Sequence, residues 1–250
     1  LKAAVLTQLP AKRRQRLRLE IPESNPALKE ARNLIKQLNE VDLGAMIRSY
    51  RTEGLDAETH REAMAAHSEQ RRLFSQLYSK TGEAKAIAAC DYICGMTETC
   101  PKLIVFAHHI AVLDALETSL ARKKVKLMRI DGRTPTKERH ENVKAFQDAD
   151  SGVQVALLGL TSAGQGITLT AASTVVFVEL HWTPGILIQA EDRAHRIGQR
   201  DAVNVHYLMA AKNTLDDIIW PMVCRKLDTV GKALDGSQRV RMGAKRAEAD

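Results

Sequence analysis

The chain has 250 residues, enough for one large domain or for one domain with an appendage. Its composition, 44% hydrophobic and 27% charged, is ordinary for a globular protein, and no apolar run approaches the roughly 18 residues of a membrane helix. The net charge of +7 comes from 37 Lys and Arg against 30 Asp and Glu.

Most of this excess positive charge lies near the N-terminus. Residues 1–22 are predicted to be extended, and they carry five basic side chains: Lys12, Arg13, Arg14, Arg16 and Arg18. A solvated linker and a strap facing the phosphates of a nucleic acid would both have this composition. The first residue, Leu1, is not an initiator Met and no signal-peptide pattern follows it, so we expect a chain cut from a longer protein.

Helical periodicity dominates residues 26–101. Apolar residues recur at helix spacing within 26–80, and a further helix is predicted over 83–95. Within the first of these ranges, the polar stretch 51–72 is predicted to form an exposed helical appendage. The four cysteines fit no zinc-binding spacing, so we expect free thiols.

From residue 102 onwards, short apolar runs alternate with helical patterns. Continuous apolar strands separated by helices predict an α/β fold with a parallel sheet covered on both faces. Thr134 followed by Pro135 predicts an N-cap, and the polar tail after Gly236 is predicted to be frayed. The predicted strands are 103–107, 125–130, 153–158, 174–178 and 203–208, and the predicted helices are 110–122, 135–146, 184–196 and 214–230.

The most informative stretch is QAEDRAHRIGQ at 189–199. On one helix, Gln189, Arg193 and Arg196 would be spaced i, i+4, i+7 and would point the same way. Two guanidiniums side by side suit a polyphosphate whose negative charge grows in the transition state. An exposed helix of mixed charge is the general alternative, but the apolar run 185–188 predicts a helix that starts buried.

The phosphate loop of nucleotide-binding proteins does not occur in this sequence. The one Gly-Lys pair, at 231–232, is followed by Ala233, and no Asp-Glu-x-His box for magnesium is present. The sequence thus carries the arginine side of a nucleotide site without the phosphate and metal side.

Residues 189–199 resemble the arginine motif of superfamily-two helicases, and their ending HRIGQ resembles the SWI/SNF branch of DNA translocases. Four further motifs appear in the order of a second RecA-like lobe: KLIVFAHH (102–109), DGRT (131–134), LLGLTSAGQGITL (157–169) and WTP (182–184). The closest resemblance is to the annealing helicases, which remodel stalled forks and rewind DNA bubbles. It is carried by FAHH (106–109), RIDG (129–132), IQAEDR (188–193) and HYL (206–208). Ser162 and Gln165 depart from the wider family, which often has Arg and Gly there.

This resemblance implies a RecA-like sheet, a helical appendage near the N-terminus, and four segments. They are a connecting segment (1–25) from a first lobe, a helical segment (26–101), the C-terminal lobe (102–232) and a flexible tail (233–250). It also implies a nuclear DNA-dependent ATPase that uses ATP with Mg²⁺, the metal being held by a first lobe, so that this chain alone is inactive. The implied partners are duplex or forked DNA, the first lobe and repair or replication factors, without a membrane.

The resemblance also implies roles for individual residues. Arg196 would be the arginine finger, Arg193 would hold the γ-phosphate, and Gln189, Gly164 and Gly166 would bind the nucleotide; no residue would bind a metal. The implied nucleic-acid contacts are His108, Arg133, Thr161, Ser162 and Trp182, and the local positive charge of segment 12–18 adds Arg13 and Arg14 as candidate contacts.

Four alternatives remain at this point. One is the lobe of another SWI/SNF chromatin-remodelling ATPase. A second is an RNA helicase lobe, which usually has Arg where this chain has Gln199. A third is a non-enzymatic nucleic-acid-binding module that uses the basic segment 12–18. The fourth, a dinucleotide-binding dehydrogenase domain, would need a G-x-G-x-x-G after its first strand, which the chain lacks.

Overall fold

The structure, a computed structural model, describes residues 9–38, 68–162 and 166–235. These residues form six strands and six helices. From residue 103 onwards strands and helices alternate, except that the strands Val155–Gly159 and Thr174–Phe177 follow each other with no described helix between them. In chain order the elements are β1 (Lys12–Arg18), α1 (Pro26–Leu38), α2 (Ser68–Thr99), β2 (Leu103–Ala107), α3 (Ile110–Arg122), β3 (Leu127–Ile130), α4 (Thr136–Gln147), β4 (Val155–Gly159), β5 (Thr174–Phe177), α5 (Pro184–Glu191), β6 (Val203–Met209) and α6 (Leu215–Asp235).

The six strands form one sheet in the order β1-β6-β5-β2-β4-β3, and all paired strands are parallel. Every residue of β2, β4 and β5 is buried. Successive residues of β2 belong to two different hydrophobic clusters, one on each face of the sheet, with Phe106 in one and Val105 in the other. The predicted parallel sheet with helices on both faces is therefore confirmed, and its double burial explains the continuous apolar strands.

The basic N-terminal segment contributes a strand to this sheet. β1 is an edge strand whose residues Lys12–Arg18 pair with Val203–Met209 of β6. Helices α1 and α2 pack on each other, and both supply residues to the two clusters, such as Leu28 and Leu77. The segment boundaries expected at 25 and 101 thus fall between elements that pack on a shared sheet.

Helix α2 is longer than the sequence pattern predicts. It runs unbroken from Ser68 to Thr99, so the predicted interruption between residues 80 and 83 is wrong. Position 82 lies inside this helix, and a side chain larger than that of glycine would not fit there because a Cβ would overlap the carboxylate of Glu179. Residues 51–67 of the predicted polar appendage lie outside the described residues. Across the described ranges, no helix is long and apolar enough to span a membrane.

Three predicted helix boundaries are also wrong, and one of them is the end of α6, which runs to Asp235 and not to the predicted 230. Helix α5 ends at Glu191, so Arg193 and Arg196 lie in the turns that follow and not on the helix. The N–H of Leu169 donates to the carbonyl of Arg193, which ties this stretch to a neighbouring loop. At α4 the N-cap is Pro135, one residue later than predicted, because the Thr134 hydroxyl instead accepts the N–H of Asp131.

Candidate nucleotide and nucleic-acid site

The predicted site residues lie mainly at the carboxyl ends of the strands and on the arginine turn, which we define as residues 192–198. Ligands of open parallel sheets bind outside these carboxyl ends. His108 and His109 follow β2, residues 131–134 follow β3, residues 160–162 follow β4, and residues 178–183 follow β5.

The arginine turn presents two neighbouring cations. Arg196 is exposed, and its Nη1 donates to Thr168 Oγ1 at 3.0 Å, with the Gly166 carbonyl at 3.5 Å. Within the described ranges, Arg196 forms no ion pair with a carboxylate. Burial, and next the positive charge of Arg196, lower the pKa of Arg193, while Asp192 acts in the opposite direction. A polyphosphate would offset this repulsion.

The remaining predicted nucleotide residues surround the turn. Gln189 is exposed on α5, so the prediction that it shares one helix with both arginines is wrong, although the arginines remain neighbours. Gly166 has φ +59° and Gly198 has φ +103°, a backbone region that glycine adopts without strain. Gly164 lies outside the described residues.

Glu191, directly before the arginine turn, holds the turn in place. The sequence alone did not predict this role. Its carboxylate is fully buried and accepts two hydrogen bonds from Arg14, each 2.7 Å long. Lys12 Nζ at 3.1 Å and the hydroxyl of Tyr207 at 2.5 Å complete its partners. Burial opposes ionisation of Glu191, but hydrogen bonding from Arg14 and the charges of Lys12 and Arg14 outweigh it and lower its pKa.

The basic segment is consequently divided between inward and outward side chains. The guanidinium of Arg14 lies against Glu191, which favours a structural role over the predicted phosphate contact. Arg16 lies over the ring of Trp220, and Arg18 pairs with Asp217. Arg13 is exposed and stays a candidate phosphate contact.

Gln199 fastens the far end of the turn. Its buried side-chain amide donates to the carbonyls of Thr170, Ala172 and Ala194 at 3.2, 2.8 and 3.3 Å. Its Oε1 accepts the N–H groups of residues 200 and 201. The sequence identified Gln199 only as a family marker; the structure gives it a packing role.

The loops after β3 and β4 form a continuous wall. Asp131 accepts the N–H of Arg133 at 2.8 Å and its Nη2 at 3.0 Å, which leaves the Arg133 side chain 58% exposed. Arg139 bridges the loops by donating to the carbonyls of Asp131 and Ser162. Thr161 beside it is exposed. The structure therefore brings Arg133, Thr161 and Ser162 together.

This wall predicts a pH-dependent contribution to stability. Hydrogen bonds from Arg133, supported by Arg129, lower the pKa of Asp131 to about 2 from the usual 3.8. The folded state thus binds the proton less readily, so the stabilisation is present above about pH 4 and is lost as the pH falls towards 2. We expect Asp131→Asn to reduce the free energy of unfolding by about 1–2 kcal/mol at pH 7, allowing for the exposure of Arg133.

Urea unfolding at pH 7, 5 and 3 would measure this effect, and the difference from the unsubstituted protein should narrow between pH 5 and 3. Asp114→Asn is the control, because Asp114 pairs with the same two arginines but is about half exposed. A difference for Asp131→Asn that stays constant over this range would contradict the assignment.

An aromatic cluster held by a buried carboxylate lies beyond the carboxyl ends of the paired strands β2 and β5. Glu179 accepts the N–H groups of His108 and His109 at 2.7 and 2.8 Å, and it pairs with the His109 ring. Trp182 stacks on His181 with ring centroids 4.2 Å apart and lies 5.9 Å from His108. Burial lowers the pKa of His181 to about 4. The predicted residues His108 and Trp182 therefore share one half-buried cluster.

A parallel sheet with ligand-competent loops at its carboxyl edge and an arginine pair on a neighbouring turn defines the class: a RecA-like α/β lobe. The C-terminal part of the Fun30 ATPase domain has the same fold, with a TM-score of 0.64 over 86% of this chain and 90% of that one. Their sequences are 17% identical, so this likeness concerns the fold alone.

The sequence comparisons are more specific. The model of the helicase conserved C-terminal domain matches residues 84–198. A Caenorhabditis elegans homolog of SWI/SNF-related matrix-associated actin-dependent regulator of chromatin subfamily A-like protein 1 is 47% identical over 68% of this chain. The DNA annealing helicase and endonuclease ZRANB3 of Mus musculus is 40% identical over 94% of this chain. The chain belongs to the SWI/SNF-related helicase family and spans 25% and 20% of the length of these two relatives.

Proposed function

We propose that this chain is the C-terminal motor lobe of an ATP-dependent DNA annealing helicase or translocase that acts in replication-fork remodelling and DNA repair. The observation that carries the proposal is the exposed guanidinium of Arg196, fixed by Thr168 and Gly166 next to Arg193. The ZRANB3 relative, which is named a DNA annealing helicase and aligns with 94% of this chain, supports the choice of activity.

The arginine turn forms one side of an ATP site. Arg196 acts as the arginine finger on the transferred phosphoryl group, Arg193 holds the γ-phosphate, and Gln189 orients it or the attacking water. The backbone at Gly166 approaches the phosphates, and Gly164 is a second proposed nucleotide-binding residue. As the resemblance to the family implies, Mg²⁺ would be held by a first lobe and not by residues of this chain.

The loops at the carboxyl ends of β2 to β5 form the DNA side. Arg133 supplies positive charge for a phosphate, Thr161 and Ser162 supply hydroxyl groups, and His108 and Trp182 supply ring surfaces. Arg13 adds a charge at the opposite edge of the sheet. The proposed partners are duplex or forked DNA, the first lobe, and repair or replication factors in the nucleus.

Closing of the two lobes would connect these surfaces. ATP between the lobes draws Arg193 and Arg196 towards the first lobe, and hydrolysis releases them. Because the arginine turn and the DNA-side loops belong to one packed lobe, each cycle would shift the DNA side relative to the first lobe. Repeated cycles would move the protein along duplex DNA.

An activity assay of the longer protein that contains this chain tests the proposal. We expect ATP hydrolysis that duplex or forked DNA stimulates, together with annealing of a single-stranded bubble. The 250-residue chain alone should release no more phosphate than its Arg196→Ala variant, because it lacks the phosphate loop and the acidic box. Nucleosome sliding without annealing would favour a chromatin-remodelling ATPase instead.

A further inference from the structure

We infer that strand β1 is a coupling strap, in which Arg14 and Lys12 hold the arginine turn in its working position through Glu191. The inference rests on the proposed function, since it assigns β1 to the segment that connects the lobes. Arg14, Lys12 and Glu191 are positioning residues, and the reacting groups are contacted by Arg193 and Arg196.

Several contacts join the segment around β1 to the start of the arginine turn, although the two are separated by about 180 positions in sequence. Arg14 binds the Glu191 carboxylate through two nitrogens, and Lys12 Nζ bridges Glu191 at 3.1 Å and Asp192 at 2.8 Å. Two residues before β1, the carbonyl of Pro10 accepts a 2.7 Å hydrogen bond from His195 Nε2. The segment 10–14 is therefore joined to residues 191–195 by several separate hydrogen bonds and ion pairs.

The charges make this linkage stiff. The Glu191 side chain has no exposed surface, while the side chains of Arg14 and Lys12 are only 14% and 12% exposed. Two-pronged binding of a carboxylate by a guanidinium fixes orientation as well as distance. Removing one partner would leave buried charge uncompensated, and the remaining groups would have to move towards water.

The linkage reaches the arginines through the backbone. The carbonyl of Glu191 accepts the N–H groups of both Ala194 and His195, so Arg193 lies inside the ring that these bonds close. Gln199 clamps the carbonyl of Ala194 from the other side. The turn that carries Arg193 and Arg196 is thus fixed at Glu191 and at Gln199, and a displacement of β1 would be transmitted to it.

β1 contains a matched control for this role. Arg18 lies on the same strand and also pairs with a carboxylate, Asp217 at 2.7 Å, but that partner belongs to α6 and not to the arginine turn. Replacing Arg18 weakens the attachment of β1 without touching Glu191. Comparing Arg14→Gln with Arg18→Gln therefore separates coupling to the turn from general support of the strand.

The experiment uses the longer protein with both lobes. We expect Arg14→Gln to lower kcat for DNA-stimulated ATP hydrolysis by about 10- to 100-fold, as expected for misplaced catalytic groups, with a much smaller change in KM for ATP. Arg14→Lys should recover part of the loss, and Arg18→Gln should stay within about twofold of the unsubstituted protein. If Arg14→Gln folds poorly, Lys12→Gln is the milder variant to test, and it should also lower kcat.

Hydrogen exchange supplies a readout that does not depend on turnover. Without nucleotide or DNA, the amides of 192–198 should exchange faster in Arg14→Gln than in Arg18→Gln, while those of β2 and β4 stay unchanged. Equal exchange and equal kcat in the two variants would overturn the inference. A second contrary result would be weaker DNA binding by Arg14→Gln, with the salt dependence of DNA affinity reduced by about one unit of slope and with kcat at saturating DNA unchanged. That pattern would identify Arg14 as a phosphate contact and would also overturn the inference.

The outcomes also separate this inference from the proposed function. If Arg196→Ala retained full turnover while Arg14→Gln still exposed 192–198 to exchange, the catalytic assignment would fail and the mechanical linkage would stand. If Arg196→Ala abolished turnover while Arg14→Gln affected neither kcat nor exchange, the linkage alone would fail.

Discussion

Replacing Arg196 by alanine is expected to lower DNA-stimulated ATP turnover of the two-lobe protein by about 10³- to 10⁵-fold. The guanidinium of Arg196 is exposed and is held in place by Thr168 and Gly166, without a carboxylate in the described ranges to neutralise it. An arginine in that setting stabilises charge that appears mainly in the transition state, so ATP binding should change far less than kcat. Single-turnover hydrolysis and binding of an ATP analogue would measure the two effects separately.

Two neighbouring arginines make the comparison specific. Arg200 is exposed just beyond Gln199, and Arg200→Ala should leave turnover within about twofold, as for an ordinary surface charge. Arg193→Ala should weaken both binding and turnover, because Arg193 is assigned to the γ-phosphate in the ground state as well. Normal turnover of Arg196→Ala at saturating DNA would remove Arg196 from the mechanism.

The parallel sheet could be predicted from the sequence because its central strands carry their own signal. β2 (Leu103–Ala107) and α3 (Ile110–Arg122) have the predicted bounds, since an apolar run and a helical stripe are local patterns. The polar strand β1 has no such pattern. It joins the sheet by pairing with β6 and through ion pairs with Glu191, about 180 residues away, which local periodicity cannot indicate.

The site shows the same division between local and tertiary information. Local spacing correctly suggested that Arg193 and Arg196 are neighbours, but the helix ends at Glu191, where that side chain is bound by β1 and Tyr207. The supporting roles of Glu191 and Gln199 were not predicted because their partners come from other segments of the chain. A signal was present in the sequence, since Glu191 lies four residues after Leu187 of the apolar run 185–188 and so on the same side of a helix, where a buried charge requires a partner.

Trp182 is the second residue for which we expect a large effect, and the structure favours a packing role. Its ring meets Phe74 and Tyr78 of α2 edge-on at 5.5 and 5.3 Å and stacks on His181. The ring therefore joins the long helix to the loop after β5. Because Trp182 is only partly buried, we expect Trp182→Ala to lower the free energy of unfolding by about 3 kcal/mol, the lower end for buried aromatic truncations.

This loss corresponds to a fall in the melting temperature of about 6–12 °C for a lobe of this size, and all activities should decline together. Trp182→Phe is the informative partner variant, because it retains an aromatic ring against Phe74 and Tyr78 but removes the larger indole surface that DNA could contact. If Trp182 only packs, Trp182→Phe should keep DNA stimulation of ATP hydrolysis near normal. If Trp182 also couples DNA binding to the arginine turn, Trp182→Phe should keep its melting temperature and basal ATPase activity. The same variant should then lose DNA stimulation or annealing per ATP. A melting temperature unchanged in Trp182→Ala would contradict the packing role, because a ring with four aromatic neighbours cannot be removed from a packed cluster without loss of stability.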